Sequence, residues 1–223
     1  MTPPLPPQRA HAITRYWPLI SGAIAVVLAI ALGALVAGRT STDRLDLAWL
    51  DEVVEHRNPL WTTPSLVMNF VGGGWFAIFV IPLGGALVLV ILKRPWSALY
   101  FVLCSIASAV VVQGLKILFG RARPADILVA ADFGSFPSGH TANAATIAVV
   151  LGLMLRNRWV WIGGAVYTVV MALSRTYLGA HWLTDTIGGV LVGAGLAALV
   201  WVPFAHRLRR EWSAAPPHDS VAS

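Results

Sequence analysis

Charged side chains are scarce in this sequence. Only 12% of its 223 residues are Asp, Glu, Lys or Arg, whereas 57% are hydrophobic, and the mean hydropathy is +0.71. Soluble globular domains contain about 25% charged residues, so this composition excludes an ordinary soluble domain. The net charge of +6 could indicate a nucleic-acid partner. The basic residues do not form one basic face, however, and we expect no nucleic-acid binding.

Cysteine is nearly absent as well. The single Cys104 cannot form an intrachain disulfide, and no group of Cys and His residues has the spacing of a zinc site. The sequence also has no glycine-rich phosphate loop of the Walker type and no internal repeat. These absences exclude a disulfide framework, a zinc-finger type of site and a P-loop nucleotide site.

Long apolar runs make up most of the sequence instead. Six stretches contain no Asp, Glu, Lys or Arg: 16–38, 58–92, 95–115, 133–155, 159–174 and 186–206. A bilayer core requires about 20 apolar residues per helix, with a tolerated range of about 17–25. Five stretches reach that length; 159–174 is shorter but is bounded by Arg158 and Arg175, whose long side chains can extend to the interface. We predict an all-α polytopic membrane protein with six transmembrane helices.

The two ends of the chain differ from this apolar part. Residues 1–15 are rich in proline and residues 211–223 in proline and serine, so we expect disordered cytoplasmic ends around a membrane domain at 16–210. The run 16–38 is longer than the roughly 7–15 apolar residues of a secretory signal. We therefore expect it to be retained as the first helix. The oligomeric state is left open.

The distribution of basic residues predicts the orientation. With the N-terminus inside, the cytoplasmic segments contain nine Lys or Arg and two acids, whereas the outer segments contain seven basic residues and eight acids. Because cytoplasmic loops of membrane proteins are enriched in Lys and Arg, both termini are expected in the cytoplasm.

The outer loop from Arg39 to Pro64 contains apolar residues at helical spacing, which predicts an amphipathic helix lying on the outer surface. Its acids could suggest a metal site or a carboxylate pair, but no pattern brings them together. We expect them to form a solvated polar face: Asp46, Asp51, Glu52 and Glu55.

In this topology, the unusual polar residues of the last four helices all lie at one membrane face. They occur in three segments: "KILFGRARP" at 116–124, "PSGH" at 137–140 and "SRTYLGAHWLTD" at 174–185. Random placement of polar residues would not sort them to one side. This face is therefore the candidate functional site, at the outer surface of a cell membrane.

The residue types in these segments suit phosphoryl transfer. Lys116, Arg123 and Arg175 provide three cations, and a guanidinium group matches two phosphate oxygens at once. Ser138 and Gly139 lie where a helix is predicted to begin, and free backbone N–H groups there favour an anion.

Two histidines could carry the chemistry. His181 and Asp185 are four residues apart and so share one helical face. There the carboxylate can keep one ring nitrogen protonated and leave the other free to attack phosphorus. His140 remains to protonate the leaving oxygen.

Together these segments resemble the type 2 phosphatidic acid phosphatase (PAP2) family, which shares its site with vanadium haloperoxidases. The family pattern is Lys-x6-Arg-Pro, then Pro-Ser-Gly-His, then Ser-Arg-x5-His-x3-Asp. All eleven positions match in order across 70 residues. The matching residues are Lys116, Arg123, Pro124, Pro137, Ser138, Gly139, His140, Ser174, Arg175, His181 and Asp185.

The resemblance implies a role for each residue. His181 would be the nucleophile that becomes a phosphohistidine, Asp185 would orient it, and His140 would be the general acid. The phosphate would be bound by Lys116, Arg123, Ser138, Gly139 and Arg175. No metal or other cofactor is implied, because fixed cations would neutralise the phosphoryl oxygens. Arg121, which the pattern does not prescribe, is interpreted as an interfacial charge.

The function expected from these residues is that of an integral-membrane lipid phosphate phosphatase acting on a monoester or diphosphate. Two alternatives remain open: a lipid phosphotransferase with an alcohol acceptor, and a non-enzymatic membrane transporter or structural protein. Transporters usually place polar residues near the bilayer midplane, whereas here they lie at one edge. A haloperoxidase is disfavoured because those family members are soluble.

The substrate is not specified by the sequence. Undecaprenyl diphosphate, phosphatidylglycerol phosphate, phosphatidic acid and diacylglycerol diphosphate all present a terminal phosphate at this depth. Only twelve residues separate Pro124 from Pro137, including Asp126 and Asp132. So short a loop favours substrates with small headgroups. Undecaprenyl diphosphate is the first expectation for a bacterial protein.

Overall fold

The computed structural model describes residues 7–37 and 44–213, with side chains described from Tyr16 onward. These residues are helical or in loops, and no strand occurs among them, which confirms the all-α prediction. The helices are α1 (Pro7–Ala37), α2 (Arg44–Glu55), α3 (Pro59–Gly72), α4 (Ile81–Ile91), α5 (Pro95–Phe119), α6 (Gly139–Leu155), α7 (Arg158–Tyr177) and α8 (Leu183–Ser213). A π-helical segment, Phe76–Val80, lies between α3 and α4.

Fewer helices meet the requirements of a membrane span than the sequence predicted. Three described helices are long and apolar enough: Tyr16–Ala37 in α1, α5 and α8. A fourth span results if α3 and Phe76–Ile91, which meet at a bend of 50°, are counted as one. Helix α6 is apolar but has only 17 residues, because the uncharged run before Gly139 forms a loop instead of a helical turn. The described helices therefore support three to four spans.

Helix α8 lies at the centre of the bundle and packs against α1, α5 and α6. Tyr100 of α5 is fully buried, and its hydroxyl donates a hydrogen bond of 2.9 Å to the Ala197 carbonyl of α8. Glycines allow α6 and α8 to approach closely: a Cβ atom at Gly193 would overlap the Ala142 carbonyl oxygen. This contact brings the first turns of α6 and α8 together.

Helix α2 confirms the predicted amphipathic helix but corrects the interpretation of its acids. Asp51, Glu52 and Glu55 are exposed, as expected of a solvated face. Asp46 is fully buried instead, because α2 packs against α7 and α8. The Asp46 carboxylate forms an ion pair with Arg121. Arg121 is accordingly not an interfacial charge.

The ends of the chain are more helical than predicted. Helix α1 begins at Pro7, and α8 continues to Ser213, inside the two segments expected to be disordered. The Glu211 carboxylate explains the second case, because it accepts hydrogen bonds from the first backbone amides of α5, 2.7 Å from Trp96 N and 3.0 Å from Ser97 N. The rest of those two segments, 1–6 and 214–223, lies outside the described residues.

The α6–α8 contact can be tested with a single methyl group. We expect Gly193→Ala to lower the melting temperature in detergent by several degrees, because overpacking a close contact costs about 1–3 kcal/mol. Gly163→Ala in α7 is the matched control, since a Cβ there meets nothing within 4 Å. Alanine is the better helix former by about 1 kcal/mol, so the control should be as stable as the wild type or more so. Equal melting temperatures for the two variants would contradict the contact.

Candidate active site

Three of the predicted phosphate-binding residues are cations at the same end of the bundle, of which Lys116 and Arg175 are buried and Arg123 is partly buried. Lys116 lies in the last turn of α5 and donates hydrogen bonds to both carboxylate oxygens of Asp132, at 3.0 and 3.1 Å. Arg123, in the loop after α5, pairs with the same carboxylate. Arg175, in the last turn of α7, donates to the Asn69 side-chain oxygen at 2.5 Å. Its buried Nε has no hydrogen-bond partner among the described residues, which leaves a donor available to a ligand.

The predicted helix start at Ser138 is confirmed. Ser138 is the N-cap of α6, and its hydroxyl lies 3.5 Å from the Thr141 backbone nitrogen. Gly139 and His140 follow in the first turn. The His140 ring donates from Nε2 to the Asn69 carbonyl of α3 at 3.1 Å, so α3 fixes the orientation of this ring.

His181 lies in the loop between α7 and α8 and is 3% exposed. Its Nδ1 donates a hydrogen bond of 2.8 Å to the Ser135 carbonyl and lies 3.5 Å from Asp185 Oδ2. The backbone carbonyl is therefore the closer partner, and the carboxylate supports it electrostatically. With Nδ1 protonated, Nε2 is the unprotonated ring nitrogen and accepts a hydrogen bond of 3.3 Å from the Arg123 guanidinium.

Burial also controls the charge of His181. It lowers the pKa of the ring to about 4, because desolvation outweighs the hydrogen bond and negative charge of Asp185. Since a depressed histidine pKa keeps the ring neutral at all higher pH values, His181 is an uncharged imidazole near pH 7. A neutral ring with an unprotonated nitrogen can act as a nucleophile once a phosphate displaces Arg123 from that nitrogen.

These residues surround one end of a cavity of about 650 Å³. Six of the eight predicted site residues line it: Lys116, Arg123, Gly139, His140, Arg175 and His181. Ser138 and Asp185 are buried behind this wall. The opposite part of the cavity is lined mainly by apolar side chains of the π-helical segment, α4 and α5, among them Ile78, Phe79, Leu83, Val102 and Ile106. The arrangement can hold an anionic group next to two imidazoles and an apolar chain beside it.

Comparison with known proteins identifies the family. The model of the PAP2 superfamily matches residues 97–209, half of the chain, and this segment contains every predicted site residue. This chain belongs to the PAP2 superfamily. The predicted resemblance is thereby confirmed.

Two curated relatives of this PAP2 chain differ in how much of it they match. Phosphatidylglycerophosphatase B of Bacillus subtilis is 29% identical over 165 residues, which are 68% of this chain and 74% of that protein. Undecaprenyl-diphosphatase of Sulfolobus acidocaldarius is 42% identical over 65 residues. The chain spans 31% of that relative's length, and the match covers 29% of this chain.

Two solved structures have the same fold as this PAP2 chain. The transmembrane PAP2-type phosphatidylglycerolphosphate phosphatase of Bacillus subtilis superposes with a TM-score of 0.72 at 27% identity, covering 87% of this chain and 98% of that one. Aquifex aeolicus LpxE gives a TM-score of 0.62 at 26% identity, covering 71% and 95% of the two chains. The protein is thus an all-helical PAP2 membrane protein.

Sequence reasoning missed two polar residues in this PAP2 site. Asn69 binds both Arg175 and His140, and it is a lone polar residue within the apolar stretch "VMNFV" at 67–71. The sequence indicates Asp132 only as an acid in a short loop, yet its carboxylate lies between Lys116 and Arg123. Two cations next to apolar helices require a counter-ion, and this requirement was the available signal for Asp132.

The Asp132 carboxylate is paired with Lys116 and Arg123, two of the cations that we expect to bind the phosphate. Burial raises the pKa of this carboxyl. The hydrogen bond and charge of Lys116 and the charge of Arg123 together lower the pKa by more than burial raises it, so the pKa is below its usual value. The side chain is 58% exposed, so the carboxylate can move into solvent when another anion binds.

We therefore expect Asp132→Asn to tighten the binding of inorganic phosphate or vanadate a few-fold, since a half-exposed ion pair is worth about 1 kcal/mol or less. The inhibition constant of each anion measures the effect. Asp126→Asn, which changes an exposed acid in the same loop, should leave both constants unchanged. Weaker anion binding in Asp132→Asn would mean that Asp132 supports the site instead of competing for it.

Proposed function

We propose that this protein is an integral-membrane lipid phosphate phosphatase that hydrolyses a phosphomonoester or diphosphate through a phosphohistidine at His181. One observation carries this proposal. Two histidines and three cations lie at one end of a cavity whose remaining wall is mainly apolar. A membrane lipid with a terminal phosphate has the same division between an anionic end and an apolar chain.

The first half of the reaction transfers the phosphoryl group to the enzyme. Lys116, Arg123 and Arg175 hold the phosphoryl oxygens, and the unpartnered Arg175 Nε provides one of the donors. The His181 Nε2 lone pair attacks phosphorus while the bond from phosphorus to the leaving oxygen breaks. His140 gives its proton to that oxygen, which leaves as a lipid alcohol, or as a lipid monophosphate when the substrate is a diphosphate.

The second half regenerates the histidine. His140, now neutral, accepts a proton from a water molecule that attacks the phosphohistidine, and the bond between phosphorus and Nε2 breaks. Inorganic phosphate leaves, and both rings return to their initial state. We propose that Ser138 and Gly139 contribute to phosphate binding through the N-terminus of α6, and that Asp185 orients His181.

The three cations supply the charge that a metal ion supplies in other phosphoryl-transfer enzymes. We therefore propose that the reaction requires no metal ion or other cofactor.

The substrates of the relatives narrow the lipid class. By name, those relatives act on undecaprenyl diphosphate and phosphatidylglycerophosphate, and a relative from Bacteroides thetaiotaomicron that is 32% identical over 107 residues is a lipid A 4'-phosphatase. All three are lipids with a terminal phosphate. We propose a substrate of this class and expect undecaprenyl diphosphate to be the first to test.

We also propose that the chain crosses the membrane six times, with both termini in the cytoplasm and the site at the outer face. The shorter α6 and α7 would complete the bundle. Lys116, His140 and Arg175 lie at the same end of α5, α6 and α7, whereas Arg94 and Arg156 lie at the opposite end. An excess of basic residues at that opposite end supports a cytoplasmic location.

Sidedness can be measured with single cysteines in intact cells, because the native Cys104 is buried. Cysteine introduced at the exposed Ala130 should react with a membrane-impermeant thiol reagent added outside. Cysteine at the exposed Asn157 should react only after the cells are opened. The reverse pattern would place the site in the cytoplasm.

The two histidines should respond differently to substitution. His181→Ala should abolish turnover of every substrate, because the attacking nitrogen is removed. His140→Ala should lower the rate on a lipid monoester by about 10²–10⁴-fold, the usual contribution of general acid catalysis. Its effect on the release of nitrophenolate from p-nitrophenyl phosphate in the first turnover should be much smaller, because nitrophenolate leaves without a proton.

The rates of leaving-group release in the first turnover, measured in parallel on both substrates for each variant, decide the assignment, because the hydrolysis step that follows is common to both substrates. Asp185→Asn should lower both rates by similar factors, since it affects the nucleophile and not the leaving group. Equal losses on both substrates in His140→Ala, together with turnover of p-nitrophenyl phosphate by His181→Ala, would show that the roles are exchanged.

A further inference from the structure

A chain of three buried charged residues lies behind the candidate active site. Asp46 of α2 and Asp185 of α8 are both 0% exposed, and the Arg121 side chain between them is 8% exposed. Arg121 donates from Nη2 to Asp46 Oδ2 at 2.6 Å and from Nη1 to Asp185 Oδ1 at 2.5 Å. One guanidinium group thus joins two carboxylates that come from distant parts of the sequence.

Asp46 has a second set of contacts at the start of α8. Its Oδ1 accepts a hydrogen bond of 3.0 Å from the Thr184 backbone amide, and its Oδ2 accepts one of 2.7 Å from the Thr184 hydroxyl. That amide is among the first of α8 and has no partner within the helix. Both oxygens of Asp46 are therefore engaged, which fixes the position from which Asp46 holds Arg121.

The consequence for Asp185 concerns its two oxygens. Arg121 occupies Oδ1, and Oδ2 is left to accept from the Trp182 backbone amide at 2.9 Å and to face His181 Nδ1 at 3.5 Å. The carboxylate cannot rotate without breaking the contact to Arg121. The direction of the negative charge behind His181 is thus determined by Arg121, which is itself held by Asp46.

We propose that Arg121 and Asp46 are positioning residues for the nucleophile, so that the surface helix α2 sets the orientation of His181 through Arg121 and Asp185. This proposal rests on the phosphatase function proposed above. Neither residue lines the cavity, and Asp46 lies outside the segment matched by the PAP2 model. Both act through Asp185 and do not touch the substrate.

A purely structural role would be anchoring of α2 to the bundle. The two roles predict different kinetics. Anchoring would change stability and would lower activity independently of Asp185. Positioning would lower kcat with little change in KM, because the cations that bind phosphate are untouched. This loss of kcat would also be absent in a protein whose Asp185 has been replaced and can no longer orient His181.

The test is a double-mutant cycle that combines Arg121→Lys or Asp46→Asn with Asp185→Asn, assayed on p-nitrophenyl phosphate. Lysine cannot hold two carboxylates in the geometry of a guanidinium group. We expect each single variant to lose about 10-fold to 100-fold in kcat, the scale of effect when a reacting group is displaced. In the Asp185→Asn background the same substitutions should lower kcat by less than about threefold, because the effects of coupled residues are not additive.

Asp51→Asn on the exposed face of α2 is the control and should keep wild-type kcat. Melting temperatures in detergent establish that the conservative variants are folded. Additive losses in the cycle, or losses confined to KM, would overturn the positioning role while leaving the proposed function intact. An inactive wild-type protein would overturn both.

Discussion

The Ser138 backbone amide donates a hydrogen bond of 2.9 Å to the Asp185 carbonyl, and this contact joins the first turns of α6 and α8. The rest of the site depends on it. It requires the two helices to approach closely, which Gly189 and Gly193 allow because a larger side chain at either position would overlap the backbone of α6. Once the turns are joined, the Ser135 carbonyl just before α6 reaches the His181 ring just before α8.

Electrostatics then explains how an apolar bundle accommodates so many charges. Each buried cation or carboxylate has a partner: Asp132 lies between Lys116 and Arg123, Asn69 accepts from Arg175, and Arg121 joins Asp46 to Asp185. Removing one member of such a pair leaves an uncompensated buried charge, which is strongly destabilising. The phosphate-binding side of this network includes an exposed carboxylate and an unpartnered guanidinium nitrogen. A phosphate can therefore bind on that side without leaving a buried charge uncompensated.

The sequence predicted the local features well and the long-range ones poorly. The helix start at Ser138 and the clustering of cations at one end follow from helix geometry and from the direction of each apolar run. The predicted proximity of His181 and Asp185 is also observed, but His181 lies in the loop just before α8 and does not share a helical face with Asp185. Partners such as Asp46 and Asn69 could not be predicted, because they lie more than 70 residues from Arg121 and Arg175 and no local pattern links them. The apolar run 133–155 is longer than helix α6 (Gly139–Leu155), because the absence of charge does not distinguish a helix from a loop. Residues 133–138 are uncharged, yet they form the loop that carries Ser135 to His181.

The central claim is that a covalent phosphohistidine forms at His181. It is tested most directly by trapping the intermediate in His140→Ala, whose hydrolysis step lacks its proposed general base, with ³²P-labelled p-nitrophenyl phosphate. Alkaline quenching and peptide mapping should locate the label on the peptide that contains His181, with one nitrophenolate released for each label in the first turnover. A label on any other residue, or a first-turnover burst of nitrophenolate without labelled protein, would contradict the account.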